Sequence, residues 1–136
     1  MTRSLRVCLA LLSLAPATAA LAAPAVSPKV KPLMVNHVVP ASKVVFAVAR
    51  NAPATDDDWR EMERSALVLT EAGKQLKKLN PGGNEVWRQQ ARLLVGNASA
   101  AVAAAKARDV EGLNKASEAV FVTCARSEEH TSEQGQ

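Results

Sequence analysis

Apolar positions recur along this chain at the spacing of one helical face, in four successive runs. Met34, Val38, Ala41, Val45 and Val48 follow at alternating steps of four and three, which puts them on one side of a helix starting near Pro32. Proline suits the first turn, where its missing N–H has no intrahelical acceptor. Pro40 falls inside the run and predicts a kink. Asn51 to Ala54 ends that helix, and Thr55-Asp56-Asp57-Asp58 opens the next with a hydroxyl cap, a carboxylate at capping-box distance and acidic charge at the positive end of the dipole. Trp59, Met62, Ala66, Leu69 and Leu76 carry the second stripe to about Lys78, before Asn80-Pro81-Gly82-Gly83 forces a turn. A third helix from about Asn84 to Ala107 has Trp87, Ala91, Leu94, Ala98, Ala101 and Ala105 on its stripe. Asp109 caps a fourth, with Leu113, Ala116 or Ser117, Val120 and Cys124 on the inner face. No segment alternates with a period of two. Short connections between amphipathic helices make consecutive helices antiparallel neighbours, so the expected fold class is all-α, an antiparallel four-helix bundle over residues 32–125.

Composition changes this picture at the N-terminus. Arg3 and Arg6, the apolar run Val7 to Leu14 and Ala20-Leu21-Ala22 read as a secretory signal peptide over residues 1–22, which implies export to the periplasm. The run is too short to span a bilayer, and no later stretch is long and apolar enough to anchor the chain. Pro24, Pro28 and Pro32 favour an extended arm over 23–31. Removing Arg3 and Arg6 halves the formal charge of +4. The remainder is nearly balanced and has only Trp59, Trp87, Phe46 and Phe121 as aromatics, so no basic, stacking surface for nucleic acid is expected. Lys74, Lys77 and Lys78 read as the solvated end of a helix.

Cleavage also removes Cys8 and leaves Cys124 as the one thiol of the exported chain, an odd count in an oxidising compartment unless the sulfur bonds to something other than a second cysteine. Cys124-Ala125 starts in the manner of a c-type haem attachment motif, Cys-x-x-Cys-His, whose remaining cysteine and histidine are replaced by Ser127 and Glu128. The segment Arg126 to Glu133 matches the translation of a widely used sequencing-library adapter over eight consecutive residues. Residues 126–136 are therefore expected to be a foreign polar tail, and His130 within it carries little weight. Met34 reads either as a thioether ligand or as a methionine filling irregular core space. His37, one turn on, reads as a ligand or a solvated side chain. Alanines from Ala98 to Ala107 either leave room for a planar cofactor or let helices pack closely. Asp56, Asp57 and Asp58 are consecutive, so they splay around the helix instead of converging on a metal. Asn97-Ala98-Ser99 is a formal glycosylation sequon expected on a helix surface. No phosphate-binding or catalytic motif is present, and no enzymatic activity is expected.

Leu33-Met34, Val39-Pro40-Ala41, Trp59 with Ser65-Ala66 and Glu71-Ala72-Gly73, and the final Phe121-Val122-Thr123-Cys124-Ala125 occur in an order and spacing that resemble the cytochrome c-prime superfamily, especially its low-spin periplasmic members. That resemblance implies a bundle enclosing haem c, bound through two cysteines and a proximal histidine at the end of the last helix, with a methionine of the first helix as second axial ligand. Carried over by position, Cys124 matches the first thioether cysteine and Met34 the methionine. Ser127 and Glu128 depart from the pattern at its second cysteine and its histidine. The expected function is electron transfer with a redox partner protein, and the family offers a homodimer by analogy. A haem-less helical bundle serving as a periplasmic binding module is the alternative. Gas binding at a five-coordinate iron is a third reading, which ligation by Met34 would oppose.

Overall fold

The computed structural model describes residues 27–80 and 83–133, with side chains described as far as Glu128. The signal-peptide reading of 1–22, the first part of the arm, the tip of the Pro81-Gly82 turn and His130 lie outside the described residues or side chains. All elements among the described residues are helical: α1 (Val30–Leu33), a π-helical segment (Met34–Val38), α2 (Val39–Ala47), α3 (Asp56–Lys78), α4 (Glu85–Ala107) and α5 (Val110–Glu133). The first three run on without a break, so four helical rods pack as a bundle.

The π segment is where the sequence predicts a kink. Pro40 has no N–H to donate to Asn36, and its ring would press on that carbonyl in a regular helix. One widened turn instead lets the Val39 N–H reach back to Met34 O, five residues earlier, and the chain resumes α geometry with Pro40 in the first turn of α2. The helix also begins before Pro32, at Val30, which places Pro32 in the first turn, where its missing donor is not needed.

The other helix ends follow their sequence signals. Thr55 Oγ1 accepts from the Asp58 N–H at 3.2 Å while Asp58 Oδ2 accepts from the Thr55 and Ala54 N–H groups at 2.9 and 3.0 Å, a complete capping box. These hydrogen bonds, the one from the Thr55 backbone first, hold the Asp58 carboxyl below its ordinary range. Asn84 Oδ1 caps α4 on the Trp87 N–H, and Asp109 Oδ1 caps α5 on the Gly112 N–H. Between them α4 ends in a left-handed residue that is not glycine, Arg108 at φ 53°, with Asp109 N–H donating to Ala104 O and Arg108 N–H to Ala105 O.

The core follows the four stripes. Val38, Ala41, Val45 and Val48 are buried, as are Trp59, Met62, Ala66, Leu69 and Leu76, then Ala91, Leu94, Ala98, Ala101 and Ala105, then Leu113, Ala116, Ser117 and Val120. The largest fully buried side chains are only Leu69, Leu113, Val45 and Val120. With so little bulk, the helices close by approaching each other. A Cβ on Gly73 of α3 would lie 2.8 Å from Val95 Cγ2 and 3.4 Å from Ala91 O of α4, and fully buried Ala98 and Ala101 line the same helix. The Ser117 hydroxyl donates to Val45 O across the α2–α5 seam at 3.1 Å. The alanine-rich half of α4 is buried at Ala98, Ala101, Ala104 and Ala105, and the free volume lies elsewhere.

Candidate functional site

That volume is a cavity of about 280 Å³ at the other end of α4. Val30, Met34 and Val38 form one wall, Leu76 of α3 a second, Trp87, Gln90, Ala91 and Leu94 of α4 a third, and Thr123, Cys124, Ser127 and Glu128 of α5 the fourth. None of residues 98–107 lines it.

Local sequence explains how each wall is set. On the first rod, Val30, Met34 and Val38 all reach the cavity across the widened π turn that Pro40 imposes. Trp87 is fixed by its own Nε1–H, which donates to Leu76 O at the end of α3 at 2.7 Å. This bond satisfies the indole donor and leaves the ring as apolar surface. On α5, Asn97 Nδ2 donates to Ala119 O at 3.2 Å and to Thr123 Oγ1 at 3.1 Å, and the Thr123 hydroxyl donates to Ala119 O at 2.8 Å. Asn97 therefore sits half-buried in the α4–α5 seam, where it tethers the turn before Cys124, and not on an open surface as its sequon suggested.

The two sulfurs singled out from the sequence meet here. Met34 and Cys124, ninety positions apart in the chain, line the same cavity, and each is half-buried. Burial pushes the Cys124 thiol above its ordinary value, and the neighbouring Glu128 carboxylate adds to the effect, so the sulfur is held as a thiol at neutral pH. The residues at the two departing motif positions, Ser127 and Glu128, belong to the same wall one turn further on. Ser127 donates to Thr123 O at 2.9 Å within a helix that continues through Glu133, because the segment from Arg126 to Glu133 holds neither glycine nor proline.

His37 does not join them. It is exposed and lines a separate open groove with Leu33, Arg64, Leu67, Glu71 and Gln75. The widened turn that keeps Met34 on the cavity leaves His37 on the side facing α3. The three aspartates opening α3 are divided as well: Asp56 pairs with Arg108 at 2.6 Å, Asp57 with Arg60, and Asp58 with the helix end. Among the described residues no three His, Cys, Asp or Glu side chains converge as a metal site, and no helix is long and apolar enough to cross a membrane.

The fit to a haem is partial. Largely apolar walls, a thiol on the last helix and a thioether on the first rod are a donor set and surroundings such a group takes. The second thiol and the imidazole are missing, since a serine hydroxyl and a carboxylate occupy their positions. A porphyrin also exceeds the cavity volume, so its insertion requires lining side chains to move apart. Gln90 was not legible as a site residue, yet its Oε1 is buried without a hydrogen-bond partner. Comparison of the chain with known protein families, with curated proteins and with solved structures finds no match.

Proposed function

We propose that this bundle is the haem domain of a periplasmic c-type cytochrome of the c-prime kind, that its four helices run antiparallel, and that its function is electron transfer to a partner protein. The observation that carries this reading is the meeting of Met34 and Cys124 on one apolar cavity. Cys124 is assigned the thioether link and Met34 the role of candidate iron ligand. A bound haem supplies one-electron chemistry, and a thioether ligand favours the reduced iron. The chain's part is to exclude water with Val38, Leu76, Trp87 and Leu94 and to hold the two sulfurs on two walls of one cavity. The N-terminal signal-like sequence supports export, and a secreted haem protein needs no enzymatic role.

As the residues stand, Ser127 and Glu128 do not complete the attachment motif. On this reading Arg126 onward replaces the native continuation, for which one residue followed by Cys-His is expected. Independent sequencing of the locus checks this, and a natural Arg-Ser-Glu-Glu would refute it. The functional test is the double substitution Ser127→Cys with Glu128→His, expressed with a c-type maturation system. Covalent haem with a thioether-type pyridine haemochrome is expected for the double variant and not for the parent. A colourless, folded double variant contradicts the proposal. The same hydroxyl and carboxylate favour the second reading, a haem-less periplasmic binding module, in which the cavity serves another ligand.

A further inference from the structure

The first rod reaches the cavity through a turn wider than that of a regular helix. Val39 N–H donates to Met34 O, five residues back, where a regular α-helix would have it donate to Val35 O. The chain before that turn is therefore offset by one position from the register that α2 would continue if it ran straight. Straightened, the helix would put Val35 where Met34 stands, Met34 where Leu33 stands and Lys31 where Val30 stands. The two arrangements are close in apolar content. Val35 is 57% exposed and gains by turning inward, and Met34 in place of Leu33 keeps an apolar side chain at that buried position. Only Lys31 in place of Val30 brings a charge, and it does so in the first turn of the rod, where the aliphatic stem can cover the wall while the ammonium reaches water. Packing thus separates the two registers weakly. Pro40 separates them strongly, because in the straight helix its ring meets Asn36 O and it has no N–H to give that carbonyl.

We propose that Pro40 is the positioning residue that selects Met34, and not Val35, as the side chain the first rod presents to the cavity. Pro40 does not line that cavity, and it acts through the pitch of the helix that carries Met34. What it decides is whether a thioether or a hydrocarbon joins Cys124 on the walls. The bearing of that choice on iron ligation rests on the cytochrome reading, whereas the register itself is a property of the haem-free chain.

Thiol cross-linking in the haem-free chain tests this. Met34→Cys and Val35→Cys are each made in the parent and together with Pro40→Ala, which restores the N–H and removes the ring. Dibromobimane, a short linker between two thiols, is added, and the peptide joined to Cys124 is identified by mass spectrometry, which also tells a link through Cys8 apart. In the parent, Cys124 is expected to link to position 34 and not to position 35. With Pro40→Ala the link at position 34 is lost and one at position 35 appears. Circular dichroism establishes that each variant is helical, and Pro40→Ser, which likewise supplies the donor, carries the same test if Pro40→Ala does not fold. General loosening of the bundle changes both links together and does not exchange them. A link at position 34 that persists without Pro40, a link at position 35 in the parent, or no link at either position in one of the two backgrounds overturns the proposal. The assay contains no haem, so its outcome is separate from that of the cytochrome reading.

Discussion

Cys124 is a half-buried thiol with a carboxylate at hand, and both influences oppose its ionisation. Alkylation by iodoacetamide follows the thiolate, so the pH at which its rate reaches half-maximum is expected above the ordinary cysteine value of about 8.5. Glu128→Gln should move that midpoint down without bringing it fully to the ordinary value, because burial is the larger cause. A midpoint at or below the free-cysteine value would mean that the thiol is not held in the cavity wall. The sequence made Cys124 and Met34 visible because a lone thiol in a chain whose first residues read as a signal peptide, and a methionine on a regular stripe, are unusual by residue type alone. Gln90 was invisible by the same logic. A glutamine on a helix is ordinary until the neighbouring helices bury its oxygen.

The helix ends and seams were legible to different degrees. The box at Thr55 and Asp58 depends only on neighbours in sequence, and the structure has it as expected. Thr55→Ala should cost about 1 kcal/mol of unfolding free energy, measured by denaturant titration. The Asp58 carboxyl is lowered in the folded state, so its contribution is present above the unfolded carboxylate value of about 3.9 and is lost as pH falls toward the folded value. Consistent with this, the gap between parent and Asp58→Asn should narrow on acidification through that window. Gly73 shows what local pattern does not reveal. Its need for a hydrogen in place of a methyl comes from Val95 and Ala91 on the next helix, and Gly73→Ala should destabilise by about 1–3 kcal/mol despite alanine's better helix propensity. Arg108 goes the other way. Its left-handed backbone favours glycine, and its ion pair with Asp56 is exposed and weak, so Arg108→Gly should raise stability by up to about 1 kcal/mol. A loss on that substitution would show that the Asp56 pair outweighs the backbone strain. The π turn was anticipated only as a kink, because periodicity reports which face is apolar and not how the pitch is adjusted to keep it so.

Across the whole molecule, the four stripes predicted the core nearly residue by residue, since a 3.6-residue period and burial express the same geometry. Where the core fails to fill was not readable. The alanines of α4 were open to two readings, room for a cofactor or close packing, and the cavity lies not beside them but beside Trp87 and Leu94. Where a void remains depends on how four helices meet, and this is not a property of any one of them. The outcome is a bundle with a cavity beside the first half of α4, and both sulfurs line it. The account stands on Met34 and Cys124 serving a single bound group from two walls of one cavity. Its most direct measurement is the visible spectrum of the matured Ser127→Cys, Glu128→His protein with and without Met34→Ala. Conversion from low-spin to high-spin absorption on removing the thioether is the predicted result. An unchanged spectrum would place the iron out of reach of Met34 and contradict the shared site.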